Sequence, residues 1–343
     1  MKLPITPPYP PMEALLVDEV PAGGGWQYEP KWDGFRCLIF RDGDEVYLQS
    51  KAGQPLARYF PELVEAVLAL KADQFVLDGE IAIPIKNRLS FDDLLMRIHP
   101  AASRIKRLAQ ETPGIFVAFD LLVDGGGKSL ADKTLEIRRP AFEQFAKKFF
   151  PRNRQLRLSP ATTDVVTAQK WFNTVGTDLD GIIAKRIDAP YRPGERNGMQ
   201  KVKRVRTADC VVGGFRYGSK TKSLVGSLLL GLYDDDGALH HVGFCSGIKN
   251  DERPALTKKL EALIQPPGFT GRAPGGPSRW STERSGEWQP LKPKLVVEVS
   301  YDHFTGGRFR HGTSLIRWRP DKAPSQCKMD QVSPTGRGAL ALL

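Results

Sequence analysis

Lys31 lies between Glu29 and the pair Asp33-Gly34 in the stretch Tyr28-Glu29-Pro30-Lys31-Trp32-Asp33-Gly34-Phe35-Arg36, with Trp26 before it and Cys37-Leu38-Ile39-Phe40 after it. The flanking apolar and aromatic residues read as strand, which gives the amine partly desolvated surroundings. A lysine near its free pKa of about 10.4 is a poor nucleophile at neutral pH, and burial beside other cations or a metal would lower it. Lys31 is therefore a candidate covalent catalyst, against the plain alternative of a surface lysine before an Asp-Gly turn. A second cluster is Phe75-Val76-Leu77-Asp78-Gly79-Glu80-Ile81-Ala82-Ile83. Apolar residues lead into and out of it, so Glu80 projects from a strand otherwise built for a core. A carboxylate there is costly unless paired or metal-bound, which favours a metal or ribose site over a hairpin with Asp78-Gly79 at its tip.

Strands and helices must hold these groups. Residues 1–25 are proline-rich, with a short helix-like apolar piece at 12–17, and read as a strap on the first domain. Strands at 27–41 and 45–50 are joined by the hairpin signal Asp42-Gly43-Asp44, and Ser50-Lys51-Ala52-Gly53 follows as a turn carrying one cation. Helical spacing predicts helices over 61–71, 91–98, 101–110 and 135–150. In the strand 115–122, Phe116 and Phe119 face opposite sides, so one can enter the core while the other stacks on a ligand; two core aromatics are the default. In the strand 179–186, Asp180 and Lys185 also face opposite ways unless Asp180 sits in the turn that opens it. The stretch 200–206 puts Lys201 and Lys203 on one face and Arg204 and Arg206 on the other; its plain reading is an edge strand dressed in cations, yet it is the densest basic stretch in the chain.

With 343 residues, 41% hydrophobic and 26% charged, the chain is long enough for two domains of ordinary globular composition. A net charge of +11 suits a partner with a phosphate backbone. Cys37, Cys210, Cys245 and Cys327 are too scattered for a zinc site or a disulfide framework, which fits a reducing cytoplasm. Prolines interrupt the N-terminus where a signal peptide needs an apolar helix, and no apolar run is long enough for a bilayer. After 207–209 the pattern changes to short strands at 211–217, 227–234, 239–245 and 296–301 with one helix near 251–264, which suggests a small β-barrel such as an OB-fold. The stretch 266–290 is the longest loop, and 303–311 with Arg317-Trp318-Arg319-Pro320-Asp321-Lys322 interleaves cations and aromatics as a nucleic-acid surface does.

The motifs KWDG, SKAG, LDGE, FDLL, DGIIAK, KVK and RPDK recur in one order. In this the chain resembles the covalent nucleotidyltransferases, the superfamily of ATP-dependent DNA ligases and mRNA capping enzymes, over nearly its whole length. YEPKWDGFR, FRHGTSLIRWRPDK and the lack of an N-terminal DNA-encircling domain are most similar to bacterial stand-alone ligase C and the ligase module of ligase D. The resemblance implies an α+β chain: a nucleotidyltransferase domain of ATP-grasp-like antiparallel sheets with helices at 1–207, then an OB-fold barrel at 208–343. It implies a DNA ligase active in repair, in which Lys31 attacks the α-phosphate of ATP, AMP passes to the 5′-phosphate of a nick, and the 3′-hydroxyl displaces it.

By the same resemblance Glu29 contacts the base, Phe119 stacks on adenine, and Glu80 and Asp180 take metal or ribose. Arg36 and Lys51 bind ribose or the nick phosphate, Lys185, Lys201 and Lys203 hold the α-phosphate, and Arg319, Asp321 and Lys322 orient pyrophosphate. Two positions depart from the family's pattern: Asp180 stands for a usual glutamate and Lys51 for a usual arginine, which loses bidentate contact. Since RPDK lies in the second domain yet serves the first step, that domain is expected to close for adenylation and then rotate away. The implied cofactors are ATP and Mg²⁺, with Mn²⁺ substituting. The implied partner is nicked double-stranded DNA, with a bacterial repair polymerase, primase or end-binding protein as recruiter. The protein is expected to be a monomer of the bacterial cytoplasm, nucleoid-associated and off the membrane. The alternatives are a capping-type guanylyltransferase using GTP, an RNA ligase, and a DNA-binding module without catalysis.

Overall fold

Strand pairing organises the chain into two units, Met1–Arg204 with Pro334–Leu343, and Val205–Ser333. The last ten residues thus belong to the first unit, against an expected second domain running to 343, and strand Arg206–Tyr217 falls wholly in the second. The computed structural model describes all residues except 152, 176–178, 220–221, 276–286 and 335, and leaves aside the side chains of 172–174. Part of the 266–290 loop therefore lies outside the described residues.

In the first unit, β1 (Leu15–Val17), β2 (Trp26–Lys31), β3 (Phe35–Asp42), β4 (Glu45–Ser50), β5 (Gln74–Ala82), β6 (Ile115–Val123), β7 (Leu156–Leu158), β8 (Gly181–Arg186) and β9 (Met199–Lys203) form two sheets. One has the order β4-β3-β5-β6-β7 and the other β1-β9-β8-β2. Alternation divides the five-stranded sheet into two faces, with register shifts where β5 pairs with β6. Phe75, Leu77, Ile81 and Phe116 point to a core completed by Leu63 and Val67 of α1 (Pro61–Leu68) and by Phe142 and Phe145 of α4 (Leu135–Phe149), with α2 (Phe91–Met96) and α3 (Ala102–Glu111) between them in sequence. The opposite parity, Arg36 on β3, Asp78 and Glu80 on β5 and Phe119 on β6, falls on the other face. Phe116 is core and Phe119 is not, one of the two outcomes open for that pair.

Several expectations are corrected. The piece at 12–17 is not helix-like: Leu15–Val17 is a strand paired in parallel with β9, which satisfies its backbone where three residues could not close a helical turn. That pairing makes β9 an interior strand between β1 and β8 rather than a cationic edge, and it ends at Lys203, with Arg206 opening the next unit's first strand. Asp78 and Gly79 lie inside β5, not at a hairpin tip. A helix not foreseen, α5 (Val165–Val175), follows β7. The Asp42–Glu45 pair closes the expected hairpin, with Gly43 at φ 61°.

The second unit runs β10 (Arg206–Tyr217), β11 (Val225–Tyr233), β12 (Leu239–Cys245), α6 (Arg253–Glu261), β13 (Val296–Tyr301) and β14 (Ser314–Trp318). The sheet order is β12-β11-β10-β13-β14, and a parallel bridge from Cys245 to Thr313 brings its two edges together. Five strands in that order, with a helix between the third and fourth, are an OB-fold barrel. Its interior holds Val211, Phe215, Leu228, Leu230, Val297 and Val299, all fully buried, together with Cys210, Cys245 and Cys327 as free thiols.

Candidate active site

Lys31 ends β2 directly opposite Gly181, the first residue of β8. The neighbouring backbones pass close enough to demand glycine: a Cβ on Gly181 would sit 2.0 Å from the Val202 carbonyl oxygen of β9, and one on Gly34, in the Lys31 motif, 2.1 Å from that of Ile81 on β5. Asp180 precedes the strand. Its backbone N–H donates to the Lys31 carbonyl at 3.2 Å, and its carboxylate accepts a hydrogen bond from the Lys31 ammonium. Burial pushes this amine down, but Asp180, backed by Glu80 and Asp33, outweighs it and holds the lysine above its ordinary value. The depression expected from the sequence is thus reversed: Asp180 lies close enough to keep the proton on.

Glu80 stands two residues beyond Asp78 on the same face of β5. Desolvation, partly offset by Lys31 and Arg36 and reinforced by Asp33 and Asp78, pushes its carboxyl up to about 7. Lys201, paired in register with Ile183, is lowered by burial and then by the charges of Lys31, Lys203, Lys51 and Arg196, so these cations share one neighbourhood. Lys51 and Arg196 are its exposed members, and both pair with Glu13 of the strap, at 3.2 and 3.3 Å.

A second group lies farther along the strands. Glu29 and Lys185 are both buried and paired at 2.9 Å, while the Gln27 amide donates to Glu29 at 2.7 Å and Lys185 donates to the Phe119 carbonyl at 3.1 Å. Lys185, expected among the phosphate cations, is opposite Gln27, four residues from Lys31 and so about 13 Å away along the strand. The Phe119 ring has the Arg36 guanidinium 4.6 Å and the Lys185 ammonium 4.9 Å from its centroid. Arg36 is fixed by a bidentate pair with Asp78, both hydrogen bonds at 2.6 Å.

In the second unit the final motif is tied into an ion cluster that the sequence reading missed. Arg319 donates to Asp209 at 2.9 Å and to Asp321 at 2.9–3.2 Å, and Lys322 donates to Asp209 at 2.6 Å. The Asp321 hydrogen bonds, then the charges of Asp209 and Asp321, raise the guanidinium's pKa. Asp209 lies on β10, among residues whose alternation advertises only a strand, and nothing in its sequence neighbourhood marks it.

Residues 14–203, more than half of the chain, match the family model for the ATP dependent DNA ligase domain, and residues 221–322 match that for the ATP dependent DNA ligase C terminal region. The chain belongs to the ATP-dependent DNA ligase family. DNA ligase C2 of Mycolicibacterium smegmatis is 45% identical, the match covering 97% of this chain and 96% of that relative. The multifunctional non-homologous end joining DNA repair protein LigD of Mycobacterium tuberculosis is 30% identical over 88% of this chain and 37% of its own length. Among solved structures, Pmar-Lig_PreS3 superposes with a TM-score of 0.58 at 18% identity, covering 86% of this chain and 64% of that one, a likeness of fold. The ligase uses ATP as its substrate, and the guanylyltransferase and non-catalytic alternatives fall away. Among the described residues no helix is long and apolar enough to cross a membrane.

The family implies a divalent metal. Among the described residues no three His, Cys, Asp or Glu side chains converge into a preformed cage. Mg²⁺, however, is ordinarily held by one or two carboxylates together with substrate phosphates. A half-buried Glu80 whose charge is disfavoured by desolvation, near Asp33 and the Asp180–Lys31 pair, supplies hard oxygen donors of that kind, so the residues fit the ion.

Proposed function

We propose that Lys31 is the residue that carries AMP, that Glu80 and Asp180 hold Mg²⁺, and that the ligase seals nicks in double-stranded DNA bearing a 5′-phosphate. The observation that carries this reading is the Lys31 ammonium held by Asp180 beside Glu80, with Lys201 and Lys203 on β9 across β8. In the first step the Lys31 Nζ lone pair forms a bond to the α-phosphorus of ATP while the α–β phosphoanhydride breaks and pyrophosphate departs. The amine must first lose a proton, and Asp180 Oδ2 is its nearest acceptor. Between free values of about 10.4 for lysine and about 3.9 for aspartate that transfer costs about 9 kcal/mol, so the pair as it stands is a resting arrangement. A bound divalent cation supplies positive charge that weakens the carboxylates' hold on the ammonium and offsets charge on the phosphoryl oxygens.

Lys201 and Lys203 would face the α-phosphate, and Lys51 and Arg36 the nick phosphate or ribose. Glu29 would receive the adenine amino group, with Lys185 holding that carboxylate in place, and Phe119 would stack on the base. AMP then moves to the 5′-phosphate oxygen as the Lys31 phosphoramidate breaks, and the 3′-hydroxyl displaces AMP to close the backbone. Arg319 and Lys322 would serve the pyrophosphate leaving group, so that the second unit acts in adenylation and afterwards releases it to engage DNA. The relationship to LigD supports a place in DNA repair, with an end-binding protein or repair polymerase as recruiter. The test compares nicked duplexes carrying a 5′-phosphate or a 5′-hydroxyl with ATP and Mg²⁺. Sealing of the phosphate substrate alone supports the reading, and failure on both overturns it.

A further inference from the structure

We propose that Tyr191 is a positioning residue for Arg36, and that through it the N-terminal strap sets how tightly the ligase holds ATP. The inference rests on Arg36 as a nucleotide contact. Four groups close a ring of hydrogen bonds. Arg36 Nε and Nη2 donate to the two Asp78 oxygens at 2.6 Å each, and the Tyr191 hydroxyl donates to Asp78 Oδ2 at 2.7 Å. The Met12 N–H donates to the Tyr191 hydroxyl oxygen at 2.9 Å, and Arg36 Nη2 returns to the Met12 carbonyl at 3.3 Å.

The bidentate fork fixes the guanidinium relative to Asp78, but not Asp78 relative to the fold. The carboxylate still turns about its own side-chain bonds, and the third donor, Tyr191, removes that freedom. Asp78 is wholly buried and Tyr191 is 5% exposed, so the bond between them is shielded from bulk water. The tyrosine is itself pinned: Tyr9 of the strap stacks on it at 6.3 Å, its backbone N–H donates to the Ala131 carbonyl at 2.9 Å, and the Arg138 guanidinium lies 5.8 Å from its ring. Burial and Asp78 push the phenol well above its ordinary pKa, which keeps the donor protonated. Arg36 and Tyr191, with Asp78, Phe119 and Lys185, line one cleft enclosing about 300 Å³ of space, part of it open to solvent. Arg36 also lies over the Phe119 ring. A swing of the fork therefore moves the guanidinium off its place over the stacking ring.

Tyr191→Phe removes one hydroxyl and keeps the ring. Self-adenylation followed against ATP concentration should show the half-saturating concentration raised about 5- to 10-fold with the maximal rate within about twofold, the signature of lost binding rather than lost chemistry. A merely structural role would lower the active fraction and leave the half-saturating concentration alone, and that result overturns the proposal. Arg36→Ala separates the two layers of the argument. If Arg36→Ala raises the half-saturating concentration and Tyr191→Phe does not, the positioning role fails while the nucleotide contact stands; if neither does, the contact itself fails. Adding Tyr191→Phe to Arg36→Ala should change nothing further, since the hydroxyl acts only through the guanidinium, and additive losses would contradict it.

Discussion

Glu80→Gln should make the protein more stable at alkaline pH while destroying its catalysis. The native carboxyl titrates at about 7 against an ordinary value of 4.5, chiefly because burial disfavours its charge. A folded pKa above the unfolded one means that the native state binds more protons between the two values. The corresponding stability is complete below the unfolded pKa and is lost as pH rises through the folded one. The shift corresponds to about 3 kcal/mol at most, an upper figure because the side chain is only partly buried. Glutamine copies the shape of the protonated acid without the titration. Urea unfolding of the two proteins should therefore nearly coincide at about pH 4 and diverge toward about pH 8, with the variant more stable by up to about 3 kcal/mol. Mg²⁺ should narrow the gap by stabilising the wild type alone, and self-adenylation by the variant should collapse. A variant less stable than wild type at alkaline pH, or a difference independent of pH, would refute the electrostatic reasoning about this strand.

Other outcomes follow from the same contacts. Lys185→Met leaves the Glu29 carboxylate buried without its cation and should cost about 3–5 kcal/mol, most of it recovered by adding Glu29→Gln; urea unfolding of the single and double variants measures this. Asp180→Asn removes the charge that raises Lys31, so the pKa of that amine, read from the pH dependence of its acylation by a small amine-reactive reagent, should fall; an unchanged value would mean that Asp180 does not hold the proton. Arg319→Ala should slow self-adenylation far more than sealing of a pre-adenylated nick, and equal loss in the two assays would contradict a role confined to the first step. Binding to nicked duplex should weaken steeply with salt, with a log–log slope of roughly −0.9 per phosphate neutralised, as the +11 balance leads one to expect.

Much of the chemistry was legible because it depends on spacing along strands. The Lys31 and Glu80 motifs carry glycine where backbones pass closely, and apolar alternation shows which face each acid occupies. The second domain was legible as a barrel because its short strands recur at turn signals. What escaped notice depends on contacts distant in sequence. Asp209 meets the final motif about a hundred residues later, and Tyr191 meets Asp78 across the fold, with no local pattern to mark either. The strand at Leu15–Val17 was hidden because only its partner β9 makes it one, and the same pairing turns the apparent cationic edge into an interior strand. The place of Lys185 beside Glu29 also needed the register of β2 with β8, which no single-strand pattern contains. Ala339 reaches a buried cluster with Trp32 and Val117 in the first unit, although it follows the second unit in sequence.

The most direct test is to incubate the protein with ATP and Mg²⁺ and map the modified peptide by mass spectrometry. The account requires a single acid-labile adenylate on Lys31, absent from Lys31→Ala and not formed from GTP. Adenylate on a different residue, or none on a protein that still seals nicks, would contradict it.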